Sequence, residues 1–175
     1  LSQNGGVDQE TIDKIGLSLA EQVKNTPVEK IYKLSDLKII KDESMLAVQN
    51  YQNTMNSIYA KETGTNTVMD VLQEFLGDGE NTDASVLVKL DPINTQIKNI
   101  IGSLIKMNTP QSLTTLHLDM INGLQKLSEN IENIKLFETD TLVALSAVSQ
   151  YEANTELLDT IITKLLDTIS QKLNN

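Results

Sequence analysis

The sequence predicts an all-α protein, a helical bundle of about five to six helices with a long C-terminal antiparallel helical hairpin. Apolar residues recur every three or four positions from Pro110 to Leu173, interrupted only around residues 138–141. Hydrophobic residues make up 39% of the chain and aromatic residues only 3%. Leucine, isoleucine and valine must therefore fill the interior, as they do between interdigitating helices.

The 175 residues fit one domain with a single buried core. Residues 1–7, LSQNGGV, are small and polar and predict a flexible N-terminal arm, with residues 8–175 as the single helical-bundle domain. Apolar residues at spacings of three and four predict a first helix from after Asp8 to about Lys24.

A second start signal follows at Thr26-Pro27 with Glu29, because threonine caps a helix and proline fits its first position. This pattern predicts a short helical turn through Tyr32. The next segment, residues 33–42, has no helical period, and we interpret it as an extended connector that lies over the core.

Three helices are predicted in the middle of the chain. The first runs from about Asp42 to Lys61, and the second is capped by Asn66 and stops at Gly77. After the polar loop 78–83, the helical pattern resumes and is bent or restarted at Asp91-Pro92. It ends at Asn108-Thr109-Pro110.

The hairpin consists of predicted helices over residues 110–137 and 141–173, whose apolar seams alternate steps of four and three as in a coiled coil. A short connection makes the two helices antiparallel neighbours. Further apolar residues flank the seams and require cover from a third helix, for which we expect residues 97–105. These flanking residues are Leu116, Ile121, Leu157, Ile161 and Leu166.

His117 is the only histidine, so any role that needs imidazole depends on it alone. Its neighbours Leu116 and Leu118 are apolar, and Asp119 faces away on a helix. We interpret His117 as a buried histidine, hydrogen-bonded to a hydroxyl or carbonyl across the seam, with Thr160 as one candidate partner. Its titration below about pH 6 is expected to loosen the hairpin.

The sequence contains no convincing catalytic or metal site. The loop 78–83 is rich in oxygen ligands, but Asp83 stands where a calcium loop needs glycine and Lys89 where it needs glutamate. We interpret it as a polar loop that caps the next helix. The carboxylate pairs Asp91 with Glu80 and Glu129 with Glu132 lie on solvated faces. We therefore predict no enzyme, no catalytic, cofactor-binding or metal-binding residues, and no cofactor.

The charge pattern excludes several partner classes. The net charge is -10, all 14 basic residues are lysine, and there is no cysteine. Because arginine dominates bidentate phosphate and base recognition, nucleic-acid binding is not expected.

No apolar run is long enough to span a membrane, and a signal peptide or anchor, if one exists, is expected upstream of Leu1.

The chain contains 16 asparagines and 17 threonines, which are mediocre helix formers. One interpretation is a base-composition bias, which also accounts for lysine replacing arginine. The other is a surface that is exposed outside the cell or packed against identical copies. The sequence leaves both open.

The segments TPQSLTTLHLDMINGLQKL and FETDTLVALSAVSQY resemble the helical hairpin of uncharacterised extracytoplasmic proteins of small-genome bacteria, some found alongside pilus or secretion components. The resemblance covers about residues 105–175. It depends on Pro110, the Leu116-His117-Leu118 step, Asn122 and the acidic turn before Leu142. Thr141 departs from the pattern, because proline is expected after Asp140. The resemblance implies an exported, non-enzymatic role and no functional residues.

From these observations we predict a non-catalytic structural or interaction module, exported or at the cell surface. It is expected to bind partner proteins or copies of itself through helical faces. The alternative is a bundle that binds a small apolar ligand between its helices.

Overall fold

The computed structural model of the chain describes residues 31–62, 67–77 and 83–174. These residues form five α-helices, which confirms the predicted all-α bundle with its C-terminal hairpin. The helices are α1 (Met45–Lys61), α2 (Val68–Leu76), α3 (Leu90–Lys106), α4 (Thr114–Ile134) and α5 (Thr141–Leu173). The predicted arm 1–7 and the helix predicted from Asp8 to Lys24 lie outside the described residues.

Three 3-10 helices and two short strands complete the described elements. The 3-10 helices are Leu34–Asp36, Ala84–Lys89 and Gln111–Leu113, and the strands are β1 (Lys38–Ile40) and β2 (Asn108–Pro110). The strands pair in parallel, with Lys38 opposite Asn108 and Ile40 opposite Pro110. The extended connector predicted over residues 33–42 is confirmed at Lys38–Ile40 but not at Leu34–Asp36, which are 3-10 helical. The pairing of β1 with the start of the hairpin was not predicted.

Helix α5 begins and ends where the sequence predicted, and Asp140 caps it by accepting a hydrogen bond of 3.1 Å from the amide of Val143. Helix α4 is shorter than the predicted 110–137. Its first residues form the 3-10 helix Gln111–Leu113, and residues 135–139 fold into the turn that reverses the chain. A tight reversal uses such turns to satisfy the last carbonyls of the helix.

The helix starts in the middle of the chain differ in detail from the prediction. Helix α1 starts at Met45 rather than near Asp42, because the Ser44 side chain accepts from the amide of Ala47 and caps it. Helix α2 is capped by Thr67, not by the predicted Asn66, which lies outside the described residues. Tyr32, where a helical turn was predicted, is not helical.

The predicted restart at Asp91-Pro92 is confirmed. The chain forms a 3-10 helix over Ala84–Lys89 and becomes α-helical at Leu90, so Pro92 is in the first turn of α3. Proline is tolerated there because its missing N–H group has no intrahelical acceptor in the first turn.

Helix α4 lies at the centre of the molecule and is buried on most of its surface. One apolar cluster joins it to α1, α3 and α5. A second cluster joins its C-terminal end to α2, to Ala84–Lys89 and to the starts of α3 and α5. The first contains Tyr51, Leu104, Met120, Ile121, Leu165 and Ile169, and the second Val71, Phe75, Leu90, Ile131, Ile134 and Ala147.

The flanks of the hairpin seam are only partly covered. On α4, Ile121 is fully buried within the cluster that includes α3, as predicted. On α5, Leu157 and Leu166 are 47% and 41% exposed, so the prediction that a third helix covers them was wrong for these two. They lie on opposite flanks of α5, at angles that do not face α4.

Helices α4 and α5 approach closely at Gly123. A Cβ atom at this position would lie 3.0 Å from the Cδ1 atom of Leu158. The glycine therefore lets the leucine of α5 pack against the backbone of α4, and the seam closes around this point.

Candidate functional site

A surface groove lies between the two-stranded sheet and α1. Its volume is about 410 Å³, which is within the range of pockets that bind small ligands. We call it the β1–α1 groove. Its lining residues are Lys38, Ile40, Asp42, Leu46, Ala47, Asn50, Tyr51, Thr54, Lys106 and Asn108.

Two periodicities build the groove. Lys38, Ile40 and Asp42 alternate along β1 and its extension, so they project on one side, as expected for extended chain. Leu46, Asn50 and Thr54 recur every four residues on α1 and share one helical face. The sequence places each set on one face, but only the folded chain brings the two faces together.

The groove carries charges of both signs. Lys38 and Lys106 line it, and among the described residues neither ammonium group forms an ion pair or a hydrogen bond. Asp42 accepts a hydrogen bond of 2.9 Å from the amide of Ser44, which lowers the pKa of its carboxyl group. The carboxylate form is therefore favoured at neutral pH.

Tyr51 forms the buried part of the lining and is 2% exposed. Its hydroxyl group lies 2.8 Å from Nδ1 of His117, and Nε2 of His117 lies 3.1 Å from the carbonyl oxygen of Leu104. A carbonyl only accepts, so Nε2 carries the proton and the tyrosine hydroxyl donates to Nδ1. These contacts join α1, α3 and α4.

Burial sets the protonation of this pair. Desolvation lowers the pKa of His117 to about 4, although its bond to the Leu104 carbonyl acts in the opposite direction. Desolvation likewise raises the pKa of the Tyr51 hydroxyl group. Both groups are neutral at pH 7, and both ring nitrogens of His117 are occupied. The imidazole is fully buried and does not line the groove.

The prediction that His117 is buried and bonded to a hydroxyl or a carbonyl is confirmed. The prediction that this bond crosses the hairpin seam, with Thr160 as one candidate, was wrong. Thr160 is exposed and donates to the carbonyl of Glu156 at 3.0 Å. Counting residues from the turn gives the position of a residue along the hairpin axis. It does not give the direction in which the side chain points. His117 faces α1 and α3 rather than α5.

The carboxylates singled out in the sequence are dispersed over the helix surface. Asp91 forms an ion pair with Lys135, and Glu132 pairs with Lys98 and Lys135. Glu129 accepts from the side chain of Gln125. Glu80 lies outside the described residues.

The predicted capping role of the loop 78–83 is seen at its last residue. Asp83 caps Ala84–Lys89 by accepting from the amide of Ser85 at 3.0 Å. Residues 78–82 lie outside the described residues. Among the described residues, no three histidine, aspartate or glutamate side chains converge as metal ligands do.

A second candidate surface lies at the turn of the hairpin. Leu136, Leu142 and Leu145 are 41%, 58% and 53% exposed. Leu142 and Leu145 are one helical turn apart and neighbours on α5, and Leu136 is in the turn that leads into this helix. We call these three leucines the tip surface.

The groove and the tip surface lie toward opposite ends of α4. Strand β2 leads through Gln111–Leu113 into the start of α4, whereas the tip follows the end of α4. The 21 residues of α4 separate the two by about 30 Å at ~1.5 Å per residue. Sequence reasoning did not find either surface.

No protein-family model matches the chain, and comparisons with curated proteins and with solved structures gave no significant match. No helix in the described part of the chain combines the length and hydrophobicity that a membrane span requires.

Proposed function

We propose that this protein is a non-catalytic interaction module that binds a partner protein through the tip surface. The observation that carries the proposal is the exposure of Leu142 and Leu145 as neighbours on α5, with Leu136 exposed in the preceding turn, because adjoining apolar side chains at a surface mark interaction sites. The exposed fractions of Leu142 and Leu145 both exceed one half.

The charges beside the tip surface favour a partner of a different kind over a second copy. Glu138 and Asp140 are exposed in the turn between Leu136 and Leu142. Two copies that meet tip to tip would bring these carboxylates together, and the net charge of -10 adds to the repulsion. An apolar patch with a basic rim would complement the tip surface. Self-association through another helical face is the second form of the same proposal.

The proposed location is the exterior of the cell or its surface. The support comes from the amino-acid composition. The chain has 16 asparagines and 17 threonines, whereas helical bundles commonly carry more charged residues. Polar uncharged side chains suit lateral contacts between extracellular proteins. The resemblance of the hairpin to extracytoplasmic proteins also supports this location. Because some of those proteins are found alongside pilus components, the proposal includes an association with pili or filaments.

Site-specific photocrosslinking tests the proposal. A photoreactive amino acid at position 142 is expected to give a discrete crosslinked product in extracts of the cells that make the protein. The same amino acid at Leu166, which is also an exposed leucine of α5, is the matched control and should give none. Equal products at both positions would overturn the tip surface as the binding site.

A pair of double variants tests the same surface without crosslinking. Leu142→Gln with Leu145→Gln should abolish binding of the partner that photocrosslinking identifies. Leu157→Gln with Leu166→Gln should retain it. Sedimentation velocity of the unmodified protein distinguishes the second form, since self-association would appear as a concentration-dependent species. A monomer that captures no partner by either method would refute the interaction role.

A further inference from the structure

We propose that the β1–α1 groove binds a short peptide with free ends. Its carboxylate lies at Lys38 and Lys106, its amino group at Asp42, and an apolar side chain lies between them on Ile40 and Leu46. This site is separate from the tip surface and goes beyond the proposed interaction function.

The strand register places the two lysines at one end of the groove. Lys38 lies opposite Asn108 in the parallel ladder. Lys106 precedes Asn108 by two residues, and parallel strands run in the same direction, so Lys106 lies at or beyond the Lys38 end. Both positively charged groups therefore flank the same end of the groove.

Asp42 lies at the opposite end. The chain runs from Lys38 through Ile40 to Asp42 and then turns into α1, which is capped by Ser44. Leu46 is in the first turn of α1, and Thr54 follows two turns later. Because residues from Leu46 to Thr54 line the groove together with Lys38, α1 must run back along the strands. Leu46 is thus beside Asp42, and Thr54 is near the lysines.

The dimensions fit a peptide of about three residues. Lys38 and Asp42 are four residue steps apart along extended chain, about 13 Å at ~3.3 Å per step. The same groove wall on α1, from Leu46 to Thr54, is about 12 Å long at ~1.5 Å per residue. A tripeptide spans about 10 Å between its ends, and flexible lysine side chains close the remaining distance.

The chemistry of the lining separates this ligand from simpler ones. An inorganic anion would meet the lysines but would gain nothing from Ile40 and Leu46, and Asp42 would repel it. A fatty acid would place its apolar tail beside the Asp42 carboxylate. A zwitterion with an apolar centre matches the charge at both ends and the apolar surface between them.

The buried end of the lining is rigid. Tyr51 is held by its hydrogen bond to His117, which in turn donates to the carbonyl of Leu104. The side-chain amides of Asn50 and Asn108 are at the rim and can bond the peptide backbone. The Thr54 hydroxyl donates to the Asn50 carbonyl at 2.7 Å, so it can only accept from the peptide. A site whose floor is fixed before binding loses little conformational entropy on binding.

The experiment is a titration with the tripeptide Ala-Leu-Ala, followed by NMR chemical shifts and by calorimetry. Saturable shifts are expected at residues 38–54 and 106–108. Amidation of the carboxyl end or acetylation of the amino end should each weaken binding about tenfold, since a lost charged hydrogen bond costs ~1.5 kcal/mol or more.

Variants assign the two ends. Lys38→Gln with Lys106→Gln should weaken the free peptide about tenfold and leave the amidated peptide unchanged. Asp42→Asn should weaken the free peptide and leave the acetylated peptide unchanged. Lys164→Gln, at an exposed lysine of α5, is the matched control and should bind like the unmodified protein.

Three results would overturn the proposal. They are the absence of saturable shifts in the groove, equal affinity for free and capped peptides, and equal binding by the groove variants and the Lys164→Gln control. Thermal melting of each variant verifies that it is folded, which is expected because the three substituted groove residues are exposed. Leu142→Gln with Leu145→Gln should not alter peptide binding, so this test and that of the tip surface fail independently.

Discussion

Helices α3 and α4 are joined by two polar contacts of different chemistry. Near the C-terminal end of α3, the neutral His117 donates to the carbonyl of Leu104 and accepts from Tyr51, with no exposure to solvent. Near the N-terminal end, Ser128 donates to Asn94 at 2.6 Å, and Asn94 donates to Glu132 at 2.6 Å. This second contact opens to the surface through ion pairs of Glu132 with lysines.

The difference shows how one helix pair combines two kinds of stabilisation. The histidine contact depends on a proton and is shielded from ions, because desolvation keeps the ring neutral. The asparagine contact is buried at Asn94 but ends in charges that water and salt reach, and such exposed pairs contribute little. The two ends of the pair should therefore respond to different changes of solution.

The largest effect is expected from His117→Leu. This change leaves the buried hydroxyl of Tyr51 without its acceptor and should lower the free energy of unfolding by about 3 kcal/mol. Urea unfolding followed by circular dichroism measures it. Adding Tyr51→Phe removes the unpaired hydroxyl and should recover a substantial part of the loss. If the double variant is less stable than the single one, the polar contact does not carry this stability.

Acidification should weaken the histidine contact selectively. The folded pKa of His117, about 4, lies below the ordinary value of 6.5, so the unfolded chain binds the proton first. The contribution of His117 to the free energy of unfolding is therefore fully present above pH 6.5. It falls between pH 6.5 and 4, by up to about 3 kcal/mol. Urea unfolding over this pH range measures the loss, which also tests the predicted loosening of the hairpin below about pH 6.

A double variant without the histidine isolates this contribution. His117→Leu with Tyr51→Phe should show a much flatter stability profile between pH 6.5 and 4. The remaining slope belongs to acids such as Glu132, whose pKa is lowered mainly by its hydrogen bond from Lys98. Its contribution is present above its ordinary pKa of 4.5 and is lost as the pH falls below it. Equal slopes in both proteins would refute the role of His117.

A smaller effect is expected at the buried part of the second contact. Ser128→Ala removes the donor to Asn94, which is 2% exposed, and should cost about 1 kcal/mol. Ser149→Ala on the exposed face of α5 is the matched control and should change stability by less than about 0.5 kcal/mol. Thermal or urea unfolding compares the two. If Ser128→Ala destabilises the protein no more than the control does, Asn94 has found another hydrogen-bond donor.

The smallest effect is expected for the ion pairs. Glu132→Gln should cost less than about 1 kcal/mol at low salt, and its difference from the unmodified protein should shrink toward zero at about 1 M sodium chloride. The cost of His117→Leu should stay constant over the same range. A salt-independent cost for Glu132→Gln would mean that its bond to Asn94, not its charge, dominates.

Much of the fold follows from helical periodicity. The seam of α5 predicted both of its ends, and Pro92 predicted the restart of α3, because these signals depend only on neighbouring residues. The cap of α2 and the ends of α4 differ by a few residues, since 3-10 turns and alternative caps compete locally. Three-residue strands carry no measurable period, so the pairing of β1 with β2 was not predictable.

The candidate surfaces were beyond sequence reasoning for a different reason. Lys38 and Lys106 are far apart in the chain and meet only through the register of the sheet. The burial of His117 followed from its apolar neighbours, but its true partner, Tyr51, is on a helix whose position the sequence does not give. The exposure of Leu142 likewise depends on which side of α5 faces α4.

The parallel pairing of β1 with β2 has a consequence for how the chain folds. It closes a loop of about 70 residues, from Lys38 to Asn108, through only three residue pairs. Closing such a loop lowers the conformational entropy of the chain, and the hydrogen bonds of three residue pairs offset only part of that cost. The ladder should therefore form only after α1, α3 and α4 have assembled, and its strands should separate first when the protein opens.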